Sequence, residues 1–436
     1  MTNKLIAAHN RQQDKAEATI RLLKKGIWAY FLLLIFEGAL RKWFLPFLAT
    51  PLLLVRDPIA IWLIYKTWKH HLMPHSWLLL GMTFVGLFAV ITALVLGHGS
   101  LFVALYGARI LLFHFPLMFV MGALMQRDDV INMGRVLLVI AIPMIILTAL
   151  QFYSPQSAWV NRGVGGDMEG AGFAGAMGFF RPPGTFSFTN GNTMFFSLVA
   201  CFVFFFWISK TKINRIVLIA ATLALLASIP ISISRTLLFS IIITMGFTTV
   251  AASTNRTYFN KIMGVFVVLV ILLLGLSQFE FFQTSTEAFT ARFEGASEAE
   301  GGLEGTLVDR YLGGLVEAIS NSAEKPFFGY GIGMGTNAGS QMLTGERTFL
   351  IAEEEWGRLI GEMGPLLGIL AIFIRLAFAL KLSLESFKSM KAGDFLPWIL
   401  LSFALIVIPQ GQWAQPTALG FSTLIGGLVL AALNED

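Results

Sequence analysis

The chain has 436 residues, a net charge of +5, 56% hydrophobic and only 13% charged residues, and a mean hydropathy of +0.73. A soluble domain carries about 25% charged residues, so a water-soluble fold is excluded and an all-α polytopic membrane bundle is expected. The single cysteine, Cys201, lies inside an apolar run, which excludes a disulfide or CxxC framework and leaves its thiol to pack as a small apolar group.

Residues 1–26 form a basic segment with Lys4, Arg11, Lys15, Arg21, Lys24 and Lys25. It lacks the short apolar core and small-residue cleavage site of a signal peptide and is expected to remain as a cytoplasmic tail. Apolar runs then follow near 27–45, 51–66, 76–97, 101–125, 136–154, 192–209, 215–233, 235–252 and 261–279, and again near 357–380, 397–411 and 417–433. With roughly 20 residues needed per crossing, they predict about twelve spans. Helices are the expected form, because lipid offers backbone groups no water and these runs lack barrel alternation.

If the first segment is cytoplasmic, the inner loops receive Lys66 and Lys69, Arg127 and Arg135, Lys210, Lys212 and Arg215, Arg256 and Lys261, then Lys381, Lys388 and Lys391. Every inner loop is basic, as cytoplasmic loops are. Positive charge distributed this way marks topology and predicts no nucleic-acid partner. Both termini are expected on the cytoplasmic side. The two long connections, 155–191 within the block 27–279 and 280–356 before the last block 357–436, then fall outside, and long loops of this kind are usually functional or disordered. No internal repeat and no paired broken helices occur at matching positions in two halves, which disfavours an inverted-repeat transporter.

Glu37, Arg56, Asp57, Arg109 and Arg375 fall within or at the ends of predicted spans, where ionised groups need partners or a polar cavity. Glu37 and Arg41 are four apart and suited to pair with each other. Arg56 with Asp57 reads as a helix-end pair, and Arg375 is near enough to the inner surface to snorkel. Arg109, with Tyr106 near it, is a candidate for lining a polar cavity. Histidines, cysteine and carboxylates show no metal-ligand spacing, and no GxxxxGK[ST] loop is present; no cofactor is expected.

Three outer segments carry arginine. Arg181-Pro-Pro-Gly-Thr-Phe-Ser-Phe-Thr-Asn190 enters the sixth span through a rigid turn. Ser232-Ile-Ser-Arg235-Thr236 forms the hairpin between the seventh and eighth spans. Asp309-Arg310-Tyr311 lies on a stretch where Leu307, Tyr311 and Leu315 recur every four residues, as on an amphipathic helix. Arginine grips phosphate through two parallel hydrogen bonds, so these arginines converging outside point to pyrophosphate, against the plainer alternative that they pair with the loop's many acids. Pro326-Phe-Phe-Gly-Tyr-Gly-Ile-Gly-Met-Gly335 offers a glycine at every second position, either to bring N–H groups to an anion or as a flexible turn. Glu353-Glu-Glu-Trp-Gly-Arg358 then leads to Glu362-Met-Gly-Pro-Leu-Leu-Gly368 and the tenth span. Carboxylates are favoured at a helix start by the dipole; Glu353 or Glu354 is the alternative candidate for a general base.

This order of motifs resembles the bacterial O-antigen ligase and polymerase superfamily over roughly residues 140–380. The matching pieces are Arg181 to Asn190, Ser234-Arg235, Arg310 followed by Pro326-Phe-Phe-Gly-Tyr-Gly-Ile-Gly, and Glu362-x-Gly364-x-x-x-Gly368. The family's His-Asn-x-Tyr before the tenth span is replaced by Glu353-Glu354-Glu355-Trp356. The resemblance implies a fold with a large periplasmic loop between spans nine and ten, in the bacterial inner membrane. It also implies metal-independent inverting transfer from an undecaprenyl-pyrophosphate-linked glycan, with a flippase and a chain-length regulator as partners of the same pathway. Glu353, Glu354 and Arg310 are then the expected catalytic residues, and Arg181, Arg235, Arg310, Tyr311, Arg358 and Arg109 the expected substrate contacts. A polymerase of repeat units is the leading expectation. A ligase of finished glycan and a transporter of an anionic substrate are the alternatives.

Overall fold

The structure, a computed structural model, describes residues 2–434 apart from 254–263, 265–266, 268–270, 272–273, 276, 301–313, 347, 349 and 353. Arg310, Tyr311 and Glu353, and most of the predicted ninth span, lie outside the described residues. The described chain is mostly helical, and its one sheet among the described residues is an antiparallel ribbon, β1 (Phe173–Ala174) with β2 (Phe180–Arg181). Among the described residues seven helices are long and apolar enough to cross a membrane, and three shorter apolar helices accompany them. This is the architecture of a multi-pass helical membrane protein.

Helix α1 (Thr2–Ala39) runs from the basic tail through the first apolar stretch. It is followed by α2 (Arg56–Lys69), α3 (Trp77–Val95) and α4 (Leu101–Arg109), which continues through a π turn into α5 (Phe115–Leu124). Pro116 has no N–H to give Leu112, and Phe115 N–H bonds Ile110 instead, so the helix widens rather than breaks. A capping box between Gln126 and Asp129 starts α6 (Arg127–Tyr153). Then come α7 (Thr189–Ile208), α8 (Arg215–Ile231, capped by Asn214), α9 (Arg235–Ser253), α10 (Glu280–Glu300), α11 (Gly314–Ser320), α12 (Asn337–Thr344), α13 (Glu355–Ala392), α14 (Leu396–Val407) and α15 (Pro416–Ala432).

The centre of the bundle is built from α5, α7 and α15, which are apolar on nearly every face and almost wholly buried. Helix α3 is different: Leu80, Phe84, Leu87, Ile91 and Val95 are all exposed along one face. A continuous apolar stripe of this kind belongs in lipid. Helix ends fall into two groups. At one, Lys24 meets Asp129 (2.6 Å), Arg127 meets Asp394 (2.9 Å) and Asn434 donates to the Gly122 carbonyl (2.6 Å). At the other, Lys42 donates to Gly184 O (2.7 Å), Arg56 to Pro416 O (2.7 Å), and His98 Nε2 meets Ile332 O (3.1 Å). The first is the basic end; the second carries the long loops.

Helix α13 is broken, although its sequence reads as one continuous apolar span. Gly364 adopts φ 77°, ψ 173°, and the segment 355–363 folds back so that Gly368 lies against Ile360 and Leu359. The break frees the carbonyls of Gly361 and Glu362, which accept the N–H groups of Tyr330 and Gly331 at 2.9 Å each. A Cβ on Gly364 would stand 2.2 Å from Phe327 O in a backbone conformation L-residues rarely adopt. Gly364→Ala is therefore expected to lose at least about 2–3 kcal/mol of stability, read as a lowered Tm of the purified protein in detergent.

Candidate functional site

The motif that enters α7 is fixed from several sides. Gly184, at φ 62°, donates its N–H to Gln151 Oε1 (2.7 Å), and its carbonyl accepts from Lys42 Nζ (2.7 Å) and Gln151 Nε2 (3.1 Å). Thr185 Oγ1 donates to Ile35 O (2.6 Å), Arg41 donates to Ser187 Oγ (2.9 Å), and Asn190 bonds Gln415. Gly38 permits this close approach: a Cβ there would lie 2.4 Å from Thr185 O. The Pro-Pro-Gly-Thr turn is thus a rigid mount, and Arg181 projects from the short strand β2 beside it.

Arg235 opens α9 next to the buried Ile233, which packs with Phe152, Ile231 and Ala288 in a small separate core. Ala288 belongs to α10, so this core docks α10 on the hairpin, and Phe293 lies 6.3 Å from Phe239 of α9. Arg292, one turn beyond Ala288, comes to the same neighbourhood as Arg181 and Arg235. Burial, and then the charges of Arg292 and Arg235, hold the Arg181 guanidinium below the ordinary arginine pKa. Arg181 Nε is buried without a hydrogen-bond partner. Three cations close enough to feel one another, one with an unmet donor, form a place where a multivalent anion lowers the electrostatic cost of the assembly.

The structure therefore brings Arg181 and Arg235 together and adds Arg292, which the sequence reading missed. Arg292 stands among acids in a polar stretch and looks like an ordinary solvated charge. Its only signal is the apolar set Phe289, Phe293 and Ala288 beside it, the docking face of α10.

The α13 entrance departs from expectation. Arg358 is buried and donates through Nε and Nη2 to Glu355 (3.0 and 2.8 Å) and through Nη1 to Glu362 (2.6 Å). Glu362 also accepts Gly335 N–H at 2.8 Å. Arg358 is engaged inside the protein, which removes it from the expected substrate contacts. The Gly-rich segment does bring an N–H to an anion, and that anion is Glu362. Arg375 does not snorkel: it is fully buried, donates to Glu355 (2.5 Å), Ile408 O (2.9 Å) and Gly411 O (3.0 Å), and lies 3.7 Å from the centre of the Trp413 ring. Glu354 is exposed before the helix, with Gly314 close against its carboxylate.

Arg109 donates through Nη1 to both carboxylate oxygens of Asp57 (3.0 Å each) and stacks 4.3 Å from the centre of Tyr106. His114 bridges Asp57 (2.9 Å) and the Tyr30 hydroxyl (2.9 Å). Arg109 is thus committed to Asp57 inside a buried network, with its Nε and Nη2 left without hydrogen-bond partners. Arg56 and Asp57 do not pair with each other; Arg56 bonds Glu37 at 3.0 Å, more tightly than Arg41 does at 3.5 Å. Among the described residues no group of His, Cys, Asp and Glu is arranged to hold a metal ion. No protein-family model and no curated protein matches the chain, so the residues themselves carry any functional reading.

Proposed function

We propose that the chain is a bacterial inner-membrane glycosyltransferase that polymerises undecaprenyl-pyrophosphate-linked repeat units into an exopolysaccharide or O-antigen-like glycan. In this reading the basic end faces the cytoplasm, about twelve spans cross the bilayer, and the loop end is extracytoplasmic. The observation that carries it is the cluster of Arg181, Arg235 and Arg292 on a rigid mount at the loop end. Lipid-linked pyrophosphate is the anion that a membrane-embedded site at this end would meet.

In the reaction, an acceptor sugar hydroxyl attacks the anomeric carbon. The bond from that carbon to the pyrophosphate oxygen breaks, its electron pair leaves with undecaprenyl pyrophosphate, and the arginines compensate the growing charge. Glu353 or Glu354 accepts the hydroxyl proton. Glu354 lies against Gly314, and in this reading Arg310 adds a further cation to the leaving pyrophosphate.

The test is the glycan pattern of a strain lacking the gene, complemented with wild type, Arg181→Ala, Arg235→Ala or Arg292→Ala. Polymer is expected to collapse to single lipid-linked units and to return only with wild type. Each variant, purified, is expected to bind undecaprenyl pyrophosphate on the order of tenfold more weakly, the size of one charge-assisted hydrogen bond. Long chains remaining on the lipid would identify a ligase; an unchanged glycan pattern would refute both.

A further inference from the structure

The basic end holds a feature that the glycan site does not use. A groove of about 340 Å³ lies between α6 and the start of α8, lined by Arg135, Val139, Lys212, Ile213, Asn214 and Val217. Both charges in this lining are positive, and no acid is among these residues. Arg135 is held in place, donating to Asn132 Oδ1 (2.5 Å) and to Lys212 O (2.9 Å). Asn214 accepts Ile216 N–H (2.9 Å), so α8 begins at the groove and directs the positive end of its dipole there.

The walls point to lipid. Val139 is 52% exposed and Ile216, at the groove's edge, 77% exposed. These side chains belong among acyl chains, so the groove sits where membrane interior meets headgroups, with Lys210 and Arg215 next to its lining residues in sequence. A fixed guanidinium, a flexible ammonium and a helix N-terminus above an apolar wall fit one ligand class: a phospholipid whose phosphate carries net negative charge while its acyl chains run along α6 and α8.

We propose that this groove binds the headgroup of an anionic phospholipid and thereby anchors the α6–α8 pair in the basic-side leaflet. A free phosphate has no use for the apolar wall, and a zwitterionic headgroup brings its own cation into a site already holding two.

The experiment measures thermal unfolding of the full chain in detergent, with added phosphatidylglycerol, phosphatidylcholine or inorganic phosphate. Phosphatidylglycerol is expected to raise the Tm of wild type well above the value with phosphatidylcholine, and phosphate to leave it unchanged. Lys212→Gln, altering an exposed side chain, is expected to weaken the apparent affinity about fivefold, the worth of one basic residue at a membrane surface. Val139→Trp keeps both charges and fills the groove, and is expected to abolish the selective shift. Equal shifts with both lipids, a shift reproduced by phosphate, or a phosphatidylglycerol shift retained in both variants would each overturn the proposal.

Discussion

Arg358→Met is expected to destabilise the protein by about 3–5 kcal/mol, the cost of breaking a buried ion pair from one side. The wild-type guanidinium gives three hydrogen bonds to two buried carboxylates. Without it Glu355 keeps Arg375, but Glu362 keeps backbone N–H groups of the Gly-rich segment and no cation. An ionised carboxylate with backbone donors but no cation in a dry interior is far from satisfied. Glu362→Gln in the Arg358→Met background is expected to recover a substantial part of the loss, because it removes the stranded charge. Arg358→Lys should stay well below wild type, since one ammonium cannot reproduce the fork that reaches both carboxylates. Tm and denaturant midpoints in detergent read these differences. A wild-type Tm for Arg358→Met would mean that water reaches the network and that Arg358 is available to substrate after all.

That network explains which parts of the molecule the sequence made legible. Apolar runs announce helices because lipid leaves the backbone no alternative, and those of 77–95 and 189–208 appear as expected. The run through 357–380 misleads, since an apolar segment can turn back on itself without changing composition. Only Gly364-Pro365 marks the turn, and its meaning depends on the Gly-rich segment that fills the break. Once the chain doubles back, Glu355 and Arg375 meet across 20 positions of sequence, a distance no straight helix closes.

Glu37 and Arg41 do pair as their spacing predicts, but the expected pairing of Arg56 with Asp57 failed for a related reason. Neighbours such as Arg56 and Asp57 point to different faces of a helix, so each finds its partner on another element, and nothing local names it. Arg41 and Lys42 lie in the π turn Leu40–Phe44, and His114 in the π turn Ile110–His114. A widened turn shifts side chains off the helical register, so counting by 3.6 misplaces them. Within the arginine site, Arg181 and Arg235 were legible because proline, glycine and serine flank them with turn chemistry. Arg292 was not, because its role depends on where α10 docks.

Asp57 tests the second network with an ordering of effects. Asp57→Leu removes the only carboxylate bonded to Arg109 among the described residues and leaves the guanidinium against Tyr106, with Nε and Nη2 already lacking hydrogen-bond partners there. The expected loss is again about 3–5 kcal/mol. Arg109→Leu leaves Asp57 with its bond from His114, so its loss is expected to be smaller. The double variant Asp57→Leu with Arg109→Leu removes both charges, fills the space with apolar atoms, and should be more stable than Asp57→Leu alone. Unfolding midpoints of the three proteins in one detergent give the order directly. If Asp57→Leu instead unfolds at the wild-type midpoint, Arg109 is hydrated without its partner, and the polar cavity expected from the sequence exists there. If the order holds, Arg109 belongs with Arg358 and Arg375 among the arginines neutralised inside the bundle, which hold its helices together.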